Sequence, residues 1–162
     1  MTRHIPKHEQ RSHATAPPKH WAKSHPSGVR EIDSTNECLE FLLERHFLGG
    51  IPCESAGDFC PKIEDIRRFL ARKFTREETL MERVEFPGLA PHRAEHVELL
   101  AELDAMRNDL ICGTYDTQRV FYVLTTWAVR HVRQFDDPFG RHLTSQIEVR
   151  RDAENVSWRL EI

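Results

Sequence analysis

The chain has 162 residues, 39% of them hydrophobic and 30% charged, with a formal net charge of −3 at pH 7. That length suits one globular domain with a single core and is short for two. No apolar run approaches the roughly 18 residues that a membrane-spanning helix needs, and residues 1–27 hold no apolar core of a secretory signal, so the expected location is the cytoplasm.

Residues 1–30 hold six Lys or Arg against one acid, a balance of +5, which leaves −8 on residues 31–162. Residues 1–19, with Pro17, Pro18 and several histidines, have too few large apolar side chains to offset the entropy of ordering and are expected to form a flexible basic arm. The irregular spacing of His4, His8 and His13 argues against a specific metal site there. An acidic body and the lack of an aromatic-interleaved basic face argue against nucleic acid and membrane partners. Cys38, Cys53, Cys60 and Cys112 contain no Cys-x-x-Cys pair and are expected to be reduced thiols.

From Ile32 onward the apolar residues recur with helical period. Ile32, Cys38, Leu39, Phe41, Leu42 and Leu43 mark a first helix, with Asp33 or Ser34 as its cap and Gly49-Gly50 as its stop. A second runs from about Pro61 to Val84 on Ile63, Ile66, Phe69, Leu70, Phe74 and Met81, and Phe86-Pro87-Gly88 ends it. A third, about Ala90 to Ile111, carries Val97, Leu99, Leu100, Leu103 and Met106, with Gly113 as its end signal. A fourth, about Asp116 to Phe135, carries Val120, Phe121, Val123, Leu124, Trp127, Ala128 and Val132. Four such helices with short connections predict an all-α fold, an up-down-up-down antiparallel four-helix bundle over residues 20–143. Residues 144–162 form a C-terminal extension whose alternating apolar and charged residues suggest a hairpin or a frayed continuation.

The chemistry concentrates in Pro91-His92-Arg93-Ala94-Glu95-His96, because histidines at i and i+4 leave a helix about 40° apart, a spacing that suits one metal ion. His131 lies on the apolar face of the fourth helix and Glu77 lies between Phe74 and Met81 on the second. Singly, a core histidine and a surface acid are the simpler readings. Several inward polar groups on three helices are together better explained by a shared cation. Glu78 and Glu95 read as solvated surface acids, and His46 and His142 have no evident partners.

Several separate motifs then resemble one family in order along about Trp21 to Leu143: Trp21, Gly28-Val29, Ile32-Asp33, Phe74-x-x-Glu77-Glu78-x-x-Met81, Phe86-Pro87, His92-x-x-x-His96 and Trp127-x-x-x-His131-x-x-x-x-Asp136. The chain resembles the bacterial hemerythrins, four-helix bundles that hold two irons between their helices and bind oxygen there. The resemblance implies that His92, His96 and His131 hold one iron and that Glu77 and Asp136 are the bridging carboxylates. On an ideal α-helix His131 and Asp136 diverge by about 140°, and Asp137 is the alternative acid.

Two histidines of the family, both ligands of the other iron, are replaced here by Asn36 and Lys73. The set for one metal is complete and the nitrogen donors of the second are gone, which implies a mononuclear site. Lys73 lies one turn from Glu77, so its ammonium can stand in for the second cation while Asn36 hydrogen-bonds the freed carboxylate oxygen; the alternative is a Lys73 that snorkels outward. The resemblance favours iron, and three imidazoles with carboxylates leave manganese and zinc open. The implied function is binding or sensing of dioxygen or nitric oxide, or of the metal itself, with no catalytic residue assigned. The alternatives are a mononuclear redox enzyme acting on peroxide or superoxide, and a metal-free bundle serving as an interaction module. The oligomeric state is left open.

Overall fold

A computed structural model describes residues 20–49, 60–109 and 117–159 of the chain. The expectations for the arm 1–19, Cys53, Cys112 and Gly113 fall outside these residues. Within them every regular element is helical: α1 (Trp21–Ser24), α2 (Arg30–Leu43), α3 (Pro61–Arg83), α4 (Leu89–Asp109), α5 (Thr117–His131) and α6 (Asp137–Arg159). A π-turn, in which the N–H bonds back five residues rather than four, extends α2 over Glu44–Leu48, and another joins α5 to α6 over Val132–Asp136. No helix among the described residues is long and apolar enough to cross a membrane.

The helices pack as an antiparallel bundle, as the helical periodicity requires. Arg67 meets Asp104 at 2.6 Å while Arg93 meets Glu78 at 2.8 Å and Glu82 at 2.6 Å, so α3 rises as α4 descends. Arg130 on α5 reaches Glu95 on α4 at 2.8 Å. Pro61 begins α3, where its missing N–H costs nothing. The apolar face of each helix enters two buried clusters. The larger includes Leu39, Leu43, Ile66, Leu70, Phe74, Leu99, Leu103, Leu124 and Val132. The smaller is built on Ile32, Met81 and Phe139. On the way from one cluster to the other, every long helix passes through buried polar residues: Asn36 on α2, Lys73 and Glu77 on α3, His92 and His96 on α4, and His131 and Asp136 at the α5–α6 junction.

Several local expectations are corrected. Helix α2 starts at Arg30, before Asp33 and Ser34. Asp33 instead reaches back, its Oδ1 accepting from the Ser27 N–H at 2.7 Å and the Ser27 hydroxyl at 2.8 Å. The turn this holds contains Gly28 at φ 79°, a left-handed conformation suited to glycine. The C-terminal hairpin does not form, because α6 runs unbroken to Arg159. Pro138 is tolerated since it directly follows a π-turn, where the α-helical ladder is already interrupted. Phe41 and Val97 are 62% and 61% exposed, so the inward stripe of their helices is narrower than their apolar residues suggested. Cys60, directly before α3, is buried. His142 has partners after all, its Nε2 lying 3.3 Å from the Val84 carbonyl and 3.0 Å from Gln146 Nε2.

The turn before α2 presses against α6 at Gly140, where an added Cβ would fall 1.8 Å from the Ser27 carbonyl oxygen. Gly140→Ala is therefore expected to destabilise the protein by about 1–3 kcal/mol, the usual cost of overpacking, as read by chemical denaturation. Wild-type stability in that variant would show that the Ser27 turn is not pinned to α6.

Candidate metal centre

One ligand atom from each of Glu77, His92, His96 and His131 lies within 4.8 Å of the others, and all four residues are buried. The Nε2 atoms of His96 and His131 are 3.2 Å apart, as are those of His131 and His92. Nitrogens about 2.1 Å from a common ion stand about 3.0 Å apart at octahedral angles and about 3.4 Å at tetrahedral ones, so the imidazoles are spaced for ligation. Glu77 Oε2 approaches His96 Nε2 at 3.5 Å. Asp136 Oδ1 lies 3.6 Å from His92 Nε2 and 3.4 Å from His131 Nε2. Neither oxygen has a hydrogen-bond partner, although each is buried. Unpartnered buried carboxylate oxygens aimed at converging imidazoles form a donor set that fits a divalent cation.

The second π-turn makes Asp136 part of this group. On a regular α-helix it would point about 140° away from His131. Here the Asp137 N–H bonds to the Val132 carbonyl, five residues back, and the widened turn returns Asp136 to the face of His131. Asp137, the alternative acid, begins α6.

The outer faces of both carboxylates are occupied by side chains of the chain itself. Lys73, only 4% exposed, forms an ion pair with Glu77 Oε1. Asn36 Nδ2 donates to Asp136 Oδ2 at 3.4 Å. Lys73 thus turns inward rather than snorkelling to the surface.

Burial pushes the Glu77 carboxyl up to about 7, a shift that Lys73 opposes and Asp136 reinforces. Burial also raises Asp136, but Lys73 and the imidazoles of His131 and His92 outweigh it and hold this carboxyl below its ordinary value. His92 is pushed down to about 4, and His96 is lowered as well, in both cases by burial first and the neighbouring His131 second. At neutral pH both imidazoles are therefore in the uncharged form that a metal requires.

Aromatic rings fix two of the imidazoles. Phe74 stacks on His96 with centroids 3.7 Å apart and planes 6° apart. His131 lies between Trp127 at 4.6 Å and Phe135 at 5.3 Å, both nearly parallel to it. Sequence reasoning missed one functional side chain, Glu78. Far from being a solvated acid, it lies 2.9 Å from His96 Nδ1 and also meets Arg93. Accepting the Nδ1 proton leaves the Nε2 lone pair facing the centre. Glu78 is about 100° around α3 from Glu77, and only the register between α3 and α4 brings it to His96.

Two outcomes follow from this geometry. Because the π-turn contains one residue more than an α-helical turn, deleting Gln134 should relax it to α-helix and keep His131 and Asp136 on one face. That deletion is expected to retain metal affinity within about tenfold, whereas inserting Ala after Gln134 abolishes it, as measured by metal retained after gel filtration. Since ligation needs ionised Glu77, and His92 and His96 are already neutral, affinity should rise with pH through about 7. Calorimetry in buffers of different ionisation enthalpy should register proton release on metal binding below pH 7, and no release there would contradict a protonated Glu77.

The chain is 28% identical over 100 residues to the myohemerythrin of Sipunculus nudus, a stretch covering 60% of this chain and 78% of that protein. No family model matches the chain, and neither does any solved structure. What the chain shares with a hemerythrin is therefore a similarity in sequence over most of that protein's length, joined here to a helical bundle with a buried histidine and carboxylate group that could hold a metal.

Proposed function

We propose that this chain is a hemerythrin-like protein that binds one non-haem metal ion, iron by its likeness to myohemerythrin, on His92, His96, His131, Glu77 and Asp136. The observation that carries this reading is the convergence of three imidazole Nε2 atoms, at spacings of 3.2 Å, on buried carboxylate oxygens that lack other partners. Support for a single ion comes from the opposite side of the carboxylates. A bridging carboxylate turns its second oxygen to a second metal, and here those oxygens face Lys73 and Asn36. The ammonium supplies in place the positive charge that a second ion would bring.

A ferrous ion held there would offer an open position to dioxygen or nitric oxide and one readily supplied electron, which suits sensing or storage of a diatomic, or of the metal itself, better than two-iron oxygen carriage. The protein's own part is to keep His92 and His96 neutral, to exclude water with Phe74, Trp127 and Phe135, and to hold Glu77 in place through Lys73.

The test is metal content per chain after anaerobic reconstitution with ferrous ion, taken as the difference between the full-length chain and its His92→Ala/His96→Ala variant so that the tail histidines cancel. A difference of about one ion is expected, with a nitrosyl absorption band on adding nitric oxide and no turnover. Asn36→His combined with Lys73→His should raise the count to about two. Two ions in the unaltered chain would refute the single-ion reading. A difference of zero would leave the interaction module, and steady consumption of peroxide or superoxide would leave the redox enzyme.

A further inference from the structure

Away from the metal centre, α2 with its π-turn and α3 form an open groove of about 430 Å³. Its apolar part is formed by the half-buried Leu42 and Phe69. Its rim carries three exposed guanidinium groups, Arg45 from the π-turn and Arg68 and Arg72 from α3. Arg68 and Arg72 are one helical turn apart, a spacing at which like charges repel. Arg68 is partly offset by Glu64 at 3.4 Å, in an exposed pair. Arg45 and Arg72 have no ion pair among the described residues. The single acid lining the groove, Asp65, lies 3.8 Å from His46 Nε2. Burial holds the His46 imidazole below its ordinary pKa, so at neutral pH it offers a hydrogen bond without adding charge. Three guanidiniums against the carboxylates of Asp65 and Glu64 leave a local surplus of positive charge on a body whose residues 31–162 sum to −8.

The backbone is also specialised here. Arg45 and His46 lie on a π-turn whose His46 carbonyl accepts from Lys62 Nζ at 2.8 Å. Such turns are rare and tend to mark functional sites, and the other π-turn of this chain shapes the metal centre. Guanidinium forks match phosphate oxygens in pairs, and the half-buried Phe69 lines the groove beside them.

We infer that the α2–α3 groove is a binding site for a small organic phosphate, its phosphate held by Arg45, Arg68 and Arg72 and its flat apolar part lying against Phe69 and Leu42. The site stands independently of the metal centre.

The test is calorimetric titration of the full-length chain with phenyl phosphate and with inorganic phosphate at low salt. One site per chain is expected, at least about tenfold tighter for phenyl phosphate. Arg45→Gln with Arg72→Gln should weaken phenyl phosphate at least about tenfold, while Arg141→Gln, an exposed arginine on α6, changes nothing. Phe69→Leu should bring phenyl phosphate down to the affinity of inorganic phosphate. Absence of saturable binding to the parent chain overturns the proposal. So does an Arg45→Gln/Arg72→Gln variant that binds as the parent does, or equal affinity of the parent for the two probes. Circular dichroism and metal content, both expected to stay at the parent's values, separate loss of the groove from loss of the fold or of the metal centre.

Discussion

Three imidazoles and two carboxylates buried together are tolerable only if their charges and lone pairs are answered from within. Hydrogen bonds cannot satisfy the cluster, because Nε2 atoms facing one another at 3.2 Å can share few protons and burial keeps His92 and His96 from gaining more. A cation is the compensation that fits all the donors at once. Much of the bundle is arranged around this demand. Lys73 neutralises one carboxylate, Asn36 bonds the other, and Glu78 orients His96 from outside the ring of donors.

The helices were legible because their apolar residues repeat every three or four positions, and the histidines at 92 and 96 were legible because a helix turns such a pair to one side. The pairing of Lys73 with Glu77 was also within reach of spacing, as both lie on one face of α3. The π-turn was not. Val132–Asp136 is composed of ordinary helical residues, and its extra residue shows only when Asp136 must face the same centre as His131. Alternation near the C-terminus suggested a hairpin or a frayed end, yet the chain continues from α5 through the π-turn into α6 as far as Arg159. Phe41 and Val97 show the opposite error, since periodicity tells which side of a helix is apolar but not how wide a strip its neighbours cover.

The two apolar clusters on either side of the polar layer give the centre its stiffness. Leu39, Phe74 and Leu99 close it on one side and Ile32, Met81 and Phe139 on the other. Stacked aromatic rings add about 0.5–1.5 kcal/mol each beyond the area they bury, so Phe74 on His96 and Trp127 and Phe135 on His131 restrain the imidazoles without consuming their nitrogens. Hydrogen bonding and stacking therefore divide the task, with carboxylates and amides acting on the polar atoms and aromatic faces acting on the rings.

The joining of α5 to α6 through a π-turn has a mechanical consequence. Residues 117–159 form one unbroken run of helix, α5, the π-turn and α6. Its pivot is the segment that holds His131 and Asp136, and about 34 Å of helix lies beyond it. A tilt of only about 5° at that pivot would carry the far end of α6 through about 3 Å. A small tilt at the segment that holds His131 and Asp136 is thus magnified at the far end of α6.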